Sequence, residues 1–194
     1  MSQTRTVAVL VGSLRKDSAS RKIAKAVAAL APHSLAFKFV EIGDLPAYDQ
    51  DLDTDTPPEA WTRLRSEVAD ADAVLFVTPE YNRSYPGFLK NAIDVGSRPW
   101  GKAVWTEKPA LVISSSAGAL GGFGANHHLR QALSFFGMPI LGKPEAYIGN
   151  SLGLFDDAGE LKDEQTVEFL RTLGAAFAAH IERNLADAAV AEAA

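Results

Sequence analysis

The chain alternates between two hydrophobic patterns along its length. Short, continuous apolar runs rich in β-branched residues predict strands buried on both faces: residues 6–11 (TVAVLV), 73–77 (AVLFV) and 109–114 (PALVIS). A more mixed run predicts a second strand at 36–42, and residues 139–140 together with 146–148 predict a short fifth one. Between the strands, apolar residues return at helical spacing. Residues 20–31 place Ile23, Val27 and Leu30 on one side and stop at Pro32, and residues 59–69 align Trp61, Leu64 and Val68. Residues 88–96 follow Pro86, which suits a first helical turn, and residues 127–136 read as helix up to Gly137. An Ala-rich stretch at 162–189 lines up Val167, Leu170, Leu173, Phe177 and Ile181 and predicts a long last helix, with fraying expected at the final residues. Residues 43–58 form a Pro- and Asp-rich loop.

Strands that alternate with helices predict right-handed crossovers and a parallel sheet covered on both faces. No repeat or linker breaks the pattern, so residues 1–194 are expected to form a single domain. The expected architecture is an α/β, flavodoxin-like three-layer fold with a five-stranded parallel sheet in the order 2-1-3-4-5. Its switch point falls between strands 1 and 3, and ligands in such sheets sit beyond the carboxyl ends of the strands there. The loops after strands 1, 3 and 4 are therefore the places to look for chemistry.

The first of these loops runs from Gly12 through Ser13, Arg15 and Ser18 to Ser20, just before a helix. Gly12 permits a sharp turn where backbone approaches a ligand. The helix N-terminus offers unpaired N–H groups and partial positive charge, the hydroxyls add donors, and Arg15 can fork onto phosphate oxygens. A monophosphate cradle is one reading; plain capping by Ser18 or Ser20 is another, and the two are compatible. There is no G-x-x-x-x-G-K-[ST], no G-x-G-x-x-G after the first strand and no G-x-S-x-G, which argues against an NTPase loop, a dinucleotide fold and an α/β-hydrolase. Without the glycine fingerprint, Glu41 reads as a solvated charge at a strand end.

After the third strand, Pro79, Glu80, Tyr81 and Asn82 lead a turn with rigid prolines, aromatics and amides. It could meet a flat heteroaromatic ring, or be a structural Asn/Pro turn. Ser115, Ser116 and Gly118 after the fourth strand offer small hydrogen-bonding groups, and Gly118, Gly121, Gly122 and Gly124 are expected to leave room for a ring, unless the stretch is a surface loop.

Composition narrows the partners. With a net charge of −5 the chain is not expected to bind nucleic acid. It has no cysteine, which removes disulfides and thiolate metal sites and fits a reducing, cytoplasmic location. The start at Met1 shows no signal peptide, and no apolar run approaches the roughly 20 residues of a membrane span, so no membrane association is expected. Four scattered histidines suggest no metal site, and Asp49, Asp51, Asp53 and Asp55 lack the glycine and terminal glutamate of a calcium loop, reading instead as a solvated acidic loop. Glu80 reads as a carboxylate bonding nearby backbone N–H groups, and Lys90/Asp94 as a helix-surface ion pair.

Taken together, Gly12-Ser13-Leu14-Arg15-Lys16 with Ser18, Thr78-Pro79-Glu80-Tyr81-Asn82 with Ser84 and Pro86-Gly87, and Leu89-Lys90-Asn91-Ala92-Ile93-Asp94 resemble the NADPH-dependent FMN reductase family, particularly its chromate/quinone reductase branch. Ser115-Ser116, His128-Leu129-Arg130-Gln131 and Lys143-Pro144-Glu145 extend the resemblance over roughly residues 6 to 150. Ser20 stands where this branch often has Asn, and Gly124 and His127 stand where some relatives carry Arg and Tyr.

The resemblance implies bound FMN reduced by NADPH or NADH, and a small-molecule electron acceptor: a quinone, free flavin, chromate, or azo or nitro compounds. It implies that Ser13, Arg15 and Ser20 hold the phosphate, with Pro79 to Asn82 and Ser115-Ser116 at the ring and ribityl chain. It also implies a homodimer or dimer-based tetramer. No side chain is assigned as catalytic, because hydride transfer is the cofactor's chemistry. An electron carrier of flavodoxin type, or a flavin-binding redox sensor, would share these features.

Overall fold

The computed structural model describes residues 4–192, with side-chain surroundings for residues 4–188. The start at Met1 and the fraying expected at the last two residues lie outside the described residues. The elements run β1 (Arg5–Val11), α1 (Ala19–Leu30), β2 (Leu35–Phe39), α2 (Glu59–Ala69), β3 (Ala73–Pro79), α3 (Gly87–Gly96), β4 (Ala110–Ser115), α4 (Phe123–Ser134), β5 (Ala146–Ile148) and α5 (Glu164–Glu192). All strand pairs are parallel and the order is β2-β1-β3-β4-β5, as the alternation of patterns requires.

The period of two along β1 divides the core. Ala8 and Leu10 join the layer of α2, α3 and α4 with Trp61, Phe76, Leu89 and Trp105, whereas Val7, Val9 and Val11 join the layer of α1 and α5 with Ile23, Val27, Leu173 and Phe177. Both faces of the sheet are thus covered, which is why its central strands read as unbroken apolar runs.

Three boundaries differ from the pattern. β2 stops at Phe39 rather than 42, because the Glu41 carboxylate accepts from the Ile42 and Gly43 N–H groups and turns the chain. Residues 139–140 do not join β5; Ile140 makes an isolated bridge to Ala110. α4 begins at Phe123, four residues before the predicted 127.

The acidic loop is also not simply solvated. Asp53 receives both terminal nitrogens of Arg65, at 2.9 and 2.8 Å, and their side chains are only 6% and 13% exposed. Arg65 also donates to the Val95 carbonyl, so this pair clamps the loop onto α2 and α3.

Candidate functional site

Three loops meet beyond the carboxyl ends of β1, β3 and β4. At the first, the Gly12 N–H donates to the Val77 carbonyl at 2.8 Å. A Cβ on Gly12 would stand 2.9 Å from Thr78 Oγ1 and 3.0 Å from a Leu89 methyl. Close packing of β1 on β3 and α3 therefore adds a second demand for glycine at the bend that follows β1. Ser13 is buried, and its hydroxyl makes no side-chain hydrogen bond among the described residues. Arg15 is exposed and pairs with no carboxylate among them.

Ser18 is the N-cap of α1: its hydroxyl accepts from the Arg21 N–H at 3.1 Å. Ser20 does something else. It is buried, and its hydroxyl shares a 2.8 Å hydrogen bond with that of Ser115 on β4, 95 residues away. The N–H groups of Ala19 and Ser20 head the helix and have no intrahelical acceptor.

At the second loop, Tyr81 and Ser84 exchange backbone hydrogen bonds of 2.8 and 3.0 Å across Asn82 and Arg83. Both central residues are left-handed, with φ of 51° and 68°, the geometry of a tight two-residue hairpin turn. Thr78, fully buried, donates to the Pro79 carbonyl. Glu80 faces two ways: one carboxylate oxygen lies 3.8 Å from the Arg83 guanidinium of the turn, and the other accepts from the Ala125 N–H at 3.0 Å. The N-cap of α4 is Gly122, which has no side chain to offer, so Glu80 serves the first turn of that helix from across the site.

The third loop is fixed from beneath. Ser114 donates to the Gly121 carbonyl at 2.7 Å and accepts from the buried Asn126 amide at 3.2 Å. Arg130 in turn donates to Asn126 Oδ1 at 2.8 Å and to the Leu141 carbonyl at 3.1 Å. Ser116 Oγ accepts from the Gly118 N–H at 3.1 Å.

The glycines do not behave as expected of a roomy loop. A Cβ on Gly121 would lie 2.5 Å from the Tyr147 carbonyl carbon, one on Gly122 3.1 Å from Ser114 Cβ, and one on Gly124 2.9 Å from the Arg83 carbonyl oxygen. These three are filled by protein. Gly118 alone has space, with Ser116 Oγ nearest at 3.8 Å.

Among the expected site residues the structure joins Ser20 to Ser115 and Ser116 to Gly118 directly, ties Ser18 to α1 and Glu80 to α4, and leaves Arg15 and Tyr81 exposed. The sequence pattern does not single out Asn126, and Asn91 and Arg130 enter only as parts of the family resemblance. Asn91 accepts from the Tyr48 N–H at 2.7 Å and donates to the Pro46 carbonyl at 2.9 Å, holding the 43–58 loop, while a Gly43 Cβ would lie 3.0 Å from Leu14 of the first loop. Polar residues recurring at fixed places in helices that follow candidate loops were the available signal.

His127 Nε2 lies 3.2 Å from the Tyr147 hydroxyl and His128 Nδ1 lies 3.2 Å from Ser84 Oγ. Burial pushes the Tyr147 hydroxyl above its usual range, and the neighbouring Glu145 adds to this. Lys90 and Asp94 form the expected bridge at 2.7 Å.

Comparison with known proteins bears on the family and the fold. A family model described as NADPH-dependent FMN reductase matches residues 5–153. A quinone reductase of Pseudomonas putida is 58% identical over 186 residues, covering 96% of this chain and all of the relative. A 2-hydroxy-1,4-benzoquinone reductase of a Burkholderia species is 45% identical over 175 residues, covering 90% and 95%. Among solved structures, FerB, a flavoenzyme NAD(P)H:(acceptor) oxidoreductase from Paracoccus denitrificans, superposes with a TM-score of 0.87 at 45% identity, covering 93% of this chain and 98% of that one.

Proposed function

The chain belongs to the NADPH-dependent FMN reductase family, and on that premise we propose that it is an FMN-dependent NAD(P)H:quinone oxidoreductase. The observation that carries the reading is the junction of loops at the switch point. There, the α1 N-terminus, Ser13 and Arg15, which pairs with no carboxylate among the described residues, would make an anion-binding corner, and the Ser20–Ser115 hydrogen bond ties α1 to the end of β4.

These residues fit a flavin mononucleotide. The N–H groups heading α1 favour a phosphate, and Arg15 supplies a cation that no carboxylate among the described residues pairs with. In this reading Ser13, Arg15, Ser18 and Ser20 hold the phosphate, Ser115, Ser116 and Gly118 border the ribityl chain, and Pro79, Glu80, Tyr81 and Asn82 border the ring. When bound, FMN would supply the hydride- and electron-transfer chemistry between nicotinamide and acceptor.

The chain's own residues bind and orient. Glu80 fixes the β3–α3 turn against α4, so the ring-facing backbone cannot shift independently of the β4 loop. Asn126 and Arg130 keep that loop in register. No side chain is cast as acid or base: both site histidines are engaged with Tyr147 and Ser84, and protons for the reduced quinone come from solvent.

Further acceptors of the same pocket would be free flavins, chromate, and azo and nitro compounds. We assign residues 1–194 to one domain, locate it in the cytoplasm and expect a homodimer or dimer-based tetramer. Trp100 and Phe135, 77% and 72% exposed, flank one hollow and are large apolar side chains of the kind that self-association covers.

The phosphate assignment is tested by titrating flavin-free protein with FMN and with riboflavin. FMN should bind about 100-fold more tightly, the worth of one or two charge-assisted hydrogen bonds. Equal affinities would remove the phosphate from the site.

A further inference from the structure

On another part of the surface, the outer face of α1 meets the hairpin closed by the Phe155–Leu161 bridge and the beginning of α5. Between them lies a groove of about 610 Å3, within the range of small-ligand sites. None of the loop residues described above line it.

Its walls are apolar: Ala26 and Leu30 of α1, Phe155 and Leu161 of the hairpin, and Val167 of α5. The groove exists because α1 turns small side chains outward here, Ala26 and Ala29, while Ile23 and Val27 fill the core on its other side. Two cations stand on its rim. Lys22 and Lys25 are three residues apart and so share a helix face, and neither is within ion-pair distance of a carboxylate among the described residues. Lys22 Nζ lies 5.9 Å from the centre of the Phe155 ring. Glu160 is the one carboxylate in the lining. Within the hairpin, the Asp156 N–H donates to the Glu160 carbonyl and the Asp156 carboxylate accepts from the Glu160 N–H.

We propose that this groove is a second ligand site, for a small amphipathic anion of the aryl- or alkyl-carboxylate class. The apolar body would lie along Ala26, Leu30, Phe155 and Leu161, and the carboxylate would meet Lys22 and Lys25. An apolar walled groove that carries two cations against one carboxylate, Glu160, matches that chemistry and disfavours cations and fully polar solutes. The site stands apart from the flavin reading and does not depend on it.

The test uses 2-naphthoate and its uncharged analogue 2-naphthamide, titrated into the FMN-loaded protein and followed by backbone amide NMR shifts. Naphthoate should shift amides in residues 22–30 and 155–161 and bind at least 5-fold more tightly than the amide. The paired substitution K22A/K25A should abolish that preference without altering flavin content, and Ala29→Trp, at an exposed position, should obstruct both compounds. Absence of shifts in those two segments would overturn the proposal, as would a preference that survives K22A/K25A. Shifts confined to residues 12–20 and 79–82 would place naphthoate at the flavin loops and overturn it too.

Discussion

The Glu80 carboxylate accepts a 3.0 Å hydrogen bond from the Ala125 N–H, joining the loop after β3 to the first turn of α4. The two residues are 45 positions apart, and a Cβ at Gly124 would lie 3.0 Å from the same carboxylate. The helix gives up its own capping side chain at Gly122 and takes one from the neighbouring loop. The loop after β3 and the connection from β4 to α4 are therefore tied by one side chain.

Removing that link has a measurable cost. Glu80→Ala should lower stability by about 1 kcal/mol, the usual worth of a helix cap, and weaken FMN binding several-fold. Glu80→Gln keeps an acceptor and should retain part of both. Urea unfolding of the flavin-free protein and FMN titration read the two effects; unchanged values for Glu80→Ala would separate the turn from α4.

Ser20 and Ser115 should be energetically coupled. A double-mutant cycle with alanine at each position is expected to give an interaction of about 1 kcal/mol in unfolding, the net contribution of a typical hydrogen bond. Additive single effects would show that their 2.8 Å contact carries no weight.

The Asp53–Arg65 pair is the anchor of the 43–58 loop. Asp53→Ala leaves Arg65 shielded without its carboxylate and should cost about 3 kcal/mol. Arg65→Met added to Asp53→Leu should recover much of that loss, since the leftover charge is what destabilises. Thermal unfolding of the two variants distinguishes this outcome from a solvated loop, for which both would match the parent protein.

Lys108 provides a pH signature. Its ammonium donates to the Ala69 and Ala71 carbonyls at the end of α2, yet burial pushes its pKa below the usual 10.5, with Asp72 and Asp70 pulling weakly the other way. Between the lowered value and 10.5 the unfolded chain binds more protons than the folded one, so stability rises with pH across that window. Lys108→Met lacks this rise, and the advantage of the parent protein should widen on the alkaline side. Parallel stability–pH profiles would contradict the assignment.

Much of this architecture was legible in local sequence because it rests on local physics. β1, β3 and β4 are buried on both faces and announce themselves as apolar runs, and α2 starts and ends where its Trp61, Leu64 and Val68 spacing implies. The elements misplaced are those decided by distant partners. The early start of α4 depends on Glu80 and the Arg83 carbonyl, which meet Gly124 only after β3 and β4 pair. Glycines at 121, 122 and 124 look alike whether they welcome a ligand or another stretch of backbone, and here the backbone is what they accommodate. Asp53 resembled its neighbours Asp51 and Asp55 until Arg65, one helix onward, selected it. Within the site, Ser18 and Ser20 looked interchangeable as caps; the reach of β4 separates them, giving Ser18 to the helix and Ser20 to Ser115.

The most direct measurement is steady-state oxidation of NADPH and NADH by purified protein with a benzoquinone acceptor, comparing FMN-loaded, flavin-free and FMN-titrated Arg15→Ala forms. The loaded protein should turn over with at least one nicotinamide and the flavin-free protein should not. Arg15→Ala should regain turnover only at FMN concentrations about 10-fold or more above those the parent protein needs, the loss of one charge-assisted phosphate contact. Loaded protein that holds FMN but oxidises neither nicotinamide in the presence of quinone would contradict the proposed function.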